Sequence, residues 1–163
     1  MTKYLNSGNT IDLYAKNIMP VLPDLPEYIN IDYKYTHKTM LLFESDSIAL
    51  IVKYDDKTYK SEKDKLSEKY TFLDKKVPSN YEENKYCIPE NEFLINSYVF
   101  KIVGGTDKNN KQFPKYFGMI GTSDDKKSIA YMYFYDSDLD YIGEKGELAP
   151  MANFVKEYFE YDF

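Results

Sequence analysis

The stretch Ser128-Ile129-Ala130-Tyr131-Met132-Tyr133-Phe134-Tyr135-Asp136 decides how the rest of the chain is read. It holds four aromatic residues and the β-branched Ile129 and contains no Gly or Pro, which is the composition of a strand. Successive side chains of a strand point to opposite faces, so Tyr131, Tyr133 and Tyr135 share one side, with Ala130, Met132 and Phe134 on the other. The spacing predicts one aliphatic face covered by helices and one face rich in tyrosine.

The same lettering occurs earlier in the chain. Ser47-Ile48-Ala49 is followed after four residues by Tyr54-Asp55, as Ser128-Ile129-Ala130 is followed by Tyr135-Asp136. Ser45-Asp46 ahead of the first copy is echoed by Ser123-Asp124 ahead of the second. Pro26-Glu27 leading to Ile29-Asn30 is echoed by Pro89-Glu90 leading to Ile95-Asn96. The elements around these copies take a common order. A helix over 10–19, capped by Thr10 and ended by Pro20, places Ile11, Tyr14, Ala15, Ile18 and Met19 on one face. Strands are expected at 31–36, 40–44 and 48–55, with Ser45-Asp46-Ser47 as a tight turn. A second helix at about 61–73 carries Leu66, Tyr70 and Leu73, with Ser61 and Asp64 in a capping pattern. A polar loop to residue 86 follows, then strands at 97–103, 116–122 and 128–136. Gly104-Gly105 opens a turn between the first two of these. Pro150 starts a closing helix, at about 149–160, with Met151, Phe154, Val155, Tyr158 and Phe159 on its buried face.

The expected fold is therefore α+β: a tandem helix–three-strand repeat, about 10–56 and 61–137, forming an antiparallel sheet with helices on one face and a C-terminal helix. Residues 1–9 read as a flexible segment ahead of a single globular domain. In order and length this plan resembles the β-lactamase inhibitory proteins. No motif carries over, and with one cysteine the disulfides of that family cannot form, so no residue role is transferred.

Composition narrows the function. The chain has 163 residues, 21 Lys and no Arg, 27 acidic residues, a net charge of −6, one His and one Cys. A net negative chain without Arg argues against nucleic-acid partners, which are held by clustered basic side chains. No segment approaches the ~20 apolar residues of a bilayer span, and Met1 to Asn9 lacks the apolar core of a signal peptide. The expected compartment is the cytoplasm by default, or outside it if a signal or lipid anchor has been removed.

Few constellations carry chemistry. Cys87, between Tyr86 and Ile88, reads as a small buried hydrophobe. His37 reads as an exposed turn residue, and nothing in the sequence frames His37 and Cys87 as a nucleophile–base pair. Asp136 to Glu147 resembles an EF-hand calcium loop, with Asp136, Asp138, Asp140 and Glu147 at ligand positions and Tyr141 where the loop needs Gly. That resemblance implies Ca²⁺ as the one candidate cofactor. The leading expectation is a non-enzymatic protein-binding or inhibitory module of the immunity kind. It would grip a basic protein partner through an acidic, tyrosine-rich sheet face, with Tyr131, Tyr133 and Tyr135 as anchors. The alternative is a calcium-binding extracytoplasmic domain using the 136–147 loop.

Overall fold

A computed structural model describes residues 15–40, 43–80, 82–104 and 116–163. The architecture is α+β, built on an antiparallel six-stranded sheet, a small two-stranded sheet and helices on both faces. Residues 15–18 are helical, so of the first expected helix only its end is described; Thr10, Ile11 and Tyr14 lie outside the described residues. Two strands follow, β1 (Asn30–Met40) and β2 (Phe43–Lys53), then helix α1 (Asp56–Lys69). Next come β3 (Val77–Pro78), β4 (Tyr86–Ile88), β5 (Glu92–Ile95), β6 (Tyr98–Val103), β7 (Tyr116–Ser123), β8 (Ser128–Asp136) and helix α2 (Pro150–Phe159).

The large sheet runs β1-β2-β8-β7-β6-β5, while β3 and β4 form the small one. Strands β2 and β8, which carry the two copies of the Ser-Ile-Ala pattern, are direct neighbours, with Leu50 opposite Tyr131. Both are buried along most of their length, as expected of central strands whose two faces are covered.

Each face has its own core. On one side Ala49, Ile51, Ala130, Met132 and Phe134 meet Met151, Phe154, Val155 and Phe159 of α2. On the other, Ile48, Leu50, Val52, Ile129, Tyr131 and Tyr133 meet Ala15, Ile18 and Met19 of the first helix and Tyr59 and Leu66 of α1. Close approach requires two glycines. A Cβ on Gly118 would lie 2.5 Å from Cγ2 of Ile18, and one on Gly121 would lie 2.4 Å from Cε1 of Phe100.

Several sequence expectations are corrected. The first half contributes two long strands rather than three, and Ser45-Asp46-Ser47 runs through the middle of β2 instead of turning. The reason is tertiary. Ser47 Oγ donates to the carbonyl of Tyr158 at 2.6 Å, and Asp46 is held by Tyr35 and His37, so these polar side chains are satisfied inside a strand. Helix α1 starts earlier than expected and ends at Lys69. Its cap is Asp55, whose carboxylate accepts from Thr58 N and Thr58 Oγ1, both at 2.9 Å. The 61–64 pattern lies inside the helix. The stretch expected as a polar loop holds β3 and β4, and β5 was not anticipated. Strands β5 and β6 are joined by Asn96-Ser97, with Asn96 at a φ of 51°, a conformation Asn tolerates in two-residue hairpins. Gly104 is described, but Gly105 and the loop after it lie outside the described residues. The closing helix begins at Pro150 and buries Met151, Phe154, Val155 and Phe159 as expected, while Tyr158 is only half-buried.

Candidate functional site

The three tyrosines proposed as anchors do share one face of β8, but that face is covered. Tyr131 is 3% exposed and Tyr133 0%, while Tyr135, nearer the sheet end, is half-buried. Helices cover both faces rather than one: the Ala130-Met132-Phe134 side carries α2 as expected, and the tyrosine side carries α1 and the first helix. Burial pushes the Tyr131 phenol strongly up, with Tyr54 and Tyr70 adding to the effect. Tyr54 is pushed up to about 12, mainly by burial and then by the Glu62 carboxylate. These phenols are core groups, so Tyr131 and Tyr133 offer no surface to a partner.

The 136–147 segment is not folded as a calcium loop. Asp136 Oδ1 accepts from Asp138 N at 2.7 Å, closing a local turn. Glu147 Oε2 accepts from Glu144 N at 2.8 Å and Oε1 from Asn153 Nδ2 at 2.6 Å, contacts that hold its carboxyl below the usual range. The carbonyl of Asp140 accepts from Ser79 Oγ at 3.2 Å. Position 141 keeps its tyrosine, and the left-handed turns fall at Gly143 and Gly146 instead. The carboxylates of Asp136 and Glu147 are thus engaged in separate local contacts rather than converging with Asp138 and Asp140. Among the described residues no group of three or more His, Cys, Asp or Glu is arranged to hold a metal.

Cys87 is buried in β4 and its thiol faces the carbonyl of Asp140 at 3.6 Å. Burial, with Asp140 close by, pushes the thiol up to about 12. His37 is not in a turn but in β1, and both of its ring nitrogens are engaged. Nδ1 lies 3.0 Å from Asp46 Oδ1 and Nε2 lies 3.1 Å from Thr39 Oγ1. His37 and Cys87 therefore have different partners in different sheets. The hydroxyl of Tyr35 donates to the same Asp46 oxygen. This chain of polar groups was missed because Asp46 read as a turn residue; its signal is the cross-strand register that sets His37 opposite Asp46.

The remaining feature is electrostatic. Residues 136–162 contain eight acidic side chains and two Lys, whereas residues 1–135 contain nineteen of each. The whole net charge of −6 therefore belongs to one segment, comprising Asp136 at the end of β8, the β8–α2 connection, α2 and the residues beyond it. Asp138, Asp140, Glu144, Glu147, Glu157, Glu160 and Asp162 are all exposed. A cleft of about 240 Å³ opens among them, with Leu139, Tyr141 and Tyr158 beside Glu144, Glu147 and Glu157. Two lysines from elsewhere in the fold already reach this surface. Lys85 Nζ lies 3.4 Å from the centre of the Tyr141 ring and 3.4 Å from Glu144 Oε2. Lys38 Nζ lies 3.3 Å from Glu160 Oε1.

Comparison with protein-family models, with curated proteins and with solved structures found no match. Among the described residues, no helix is long and apolar enough to cross a membrane.

Proposed function

We propose that this protein is a binding module of the inhibitory or immunity kind, which recognises a basic protein through the acidic layer of residues 136–162. The observation that carries the reading is the segregation of charge, with all of the net −6 in this one segment and a balanced remainder. A surface of one sign steers a partner of the other and raises its rate of encounter. Aromatic faces beside carboxylates suit ammonium and guanidinium groups, and Lys85 on Tyr141 and Glu144 is an internal instance of that contact. The tyrosine-rich sheet face takes no part in this recognition, since Tyr131 and Tyr133 are in the core.

The test compares partner capture by the native chain and by a variant carrying Asp138→Asn, Asp140→Asn, Glu144→Gln and Glu157→Gln. All four residues are exposed, so the fold should survive their neutralisation. Captured basic protein that is lost from the variant, and lost from the native chain as salt rises, would support the reading. Equal capture by both chains would overturn it.

A further inference from the structure

We infer that Thr39 is an activated hydroxyl, a site of acyl transfer from small neutral esters, with His37 as its base and Asp46 as the residue that positions His37. The arrangement is a hydroxyl, an imidazole and a carboxylate in hydrogen-bonded series. Thr39 Oγ1 is 3.1 Å from His37 Nε2, and His37 Nδ1 is 3.0 Å from Asp46 Oδ1. A nucleophile within reach of a base that a third group orients is the geometric signature of covalent catalysis by a hydroxyl.

Strand geometry brings the three together. His37 and Thr39 are two residues apart on β1 and so project from the same face, and the register sets His37 opposite Asp46 on β2. The network also fixes the tautomer. An ionised Asp46 only accepts, so it takes the Nδ1 proton of His37 as well as the Tyr35 hydroxyl proton. Nε2 is then left as the acceptor for the Thr39 proton. Asp46 is 5% exposed and His37 43%, so the orienting carboxylate is sheltered while the base and hydroxyl stay open to a substrate. Glu44, opposite Thr39 in the register and exposed, places a negative charge beside the hydroxyl and disfavours anionic esters.

The chemistry runs in two steps. Thr39 Oγ attacks the ester carbonyl as its proton passes to His37 Nε2; the bond to the leaving oxygen breaks and that alcohol departs with the proton, leaving acyl-Thr39. Water then attacks the acyl carbonyl, giving one proton to Nε2; the acid departs and Thr39 recovers its proton. The sum is ester plus water to acid plus alcohol.

The experiment uses the full chain with p-nitrophenyl acetate, following nitrophenolate release and mapping acetylated residues by mass spectrometry. General-base activation of this kind is worth about 10²-fold or more. The native chain should exceed both Thr39→Val and His37→Gln by roughly that factor, and acetyl-Thr39 should be absent from His37→Gln. p-Nitrophenyl succinate should react more slowly than the acetate. Asp46→Asn, which keeps the side chain's volume, should lower kcat with KM unchanged, a split that loss of packing alone would not produce. Thermal melts of each variant verify that the fold is retained. A Thr39→Val chain that releases nitrophenolate at the native rate would overturn the assignment, whatever other side chains are acetylated.

Discussion

The hydroxyl of Tyr70, the residue that ends α1, donates to the main-chain carbonyl of Ile18 at 2.8 Å, locking the first helix to the second. The end of a helix leaves carbonyls without intrahelical partners, and here a buried phenol from another element satisfies one of them. Replacing Tyr70 with Phe keeps the ring and leaves that acceptor bare. The expected loss is about 1–3 kcal/mol, read as a lower urea midpoint with an unchanged slope. An unchanged midpoint would mean that water replaces the phenol at no cost.

Gly121 makes the sharper packing prediction. The ring of Phe100, itself fully buried and stacked on Phe93 at 5.3 Å between centroids, occupies the space a Cβ would need. Gly121→Ala should destabilise by ~1–3 kcal/mol through overpacking. A melting midpoint several degrees lower would confirm it; no change would show that Phe100 has room to move.

Tyr131→Ser and Tyr133→Ser separate a core role from a surface role. Removing either ring from the buried face should cost about 3–5 kcal/mol, as large-to-small core changes do. Neutralising the exposed acids at 138, 140, 144 and 157 should shift stability by less than about 0.5 kcal/mol. Chemical denaturation of both sets provides the comparison. Full stability in Tyr133→Ser would return that side chain to the surface.

Calcium provides a fourth test. A site at 100-fold saturation adds about 2.7 kcal/mol. Because Glu147 is committed to Glu144 N and Asn153, and Asp136 to Asp138 N, the melt in millimolar Ca²⁺ should coincide with that in EDTA. A calcium-specific rise abolished by Asp138→Asn would reverse this conclusion.

Alkaline pH should unfold the protein cooperatively. Burial raises the phenols of Tyr54, Tyr59, Tyr70 and Tyr131, Tyr54 to about 12. The unfolded chain releases these protons near pH 10 while the folded chain retains them. Stability from this source is therefore complete below pH 10 and declines as pH rises towards the folded values. Phenolate absorbance and loss of secondary structure should change together above pH 10. Tyrosine ionisation completed in a still-folded chain would contradict it.

How much of this was legible in the sequence depended on whether the signal was local. The β8 stretch, the β6 and β7 strands and the α2 face were readable because periodicity and Pro150 act within a few residues. Ser45-Asp46-Ser47 was misread because turn propensity is a local preference, and its satisfaction within a strand depends on Tyr158, Tyr35 and His37 from other elements. The tyrosine face failed for a related reason. Alternation says which residues share a side but not which helix covers it, so Tyr131 and Tyr133 could be grouped without being placed. Asn96-Ser97 between Ile95 and Tyr98 did carry a hairpin signal, in an Asn able to take positive φ, and it went unused.

The pairing of β2 with β8 sets an order of events during synthesis. Leu50 meets Tyr131 only after another 81 residues have been added. At ~5–20 residues per second, the β1–β2 hairpin waits roughly 4–16 s on the ribosome with the edge of Ile48-Ala49-Leu50-Ile51-Val52 unpaired. Newly made chains therefore pass through an adhesive stage that the finished molecule conceals. Expression yield should respond to chaperone supply and temperature far more than the equilibrium stability of the folded protein would suggest.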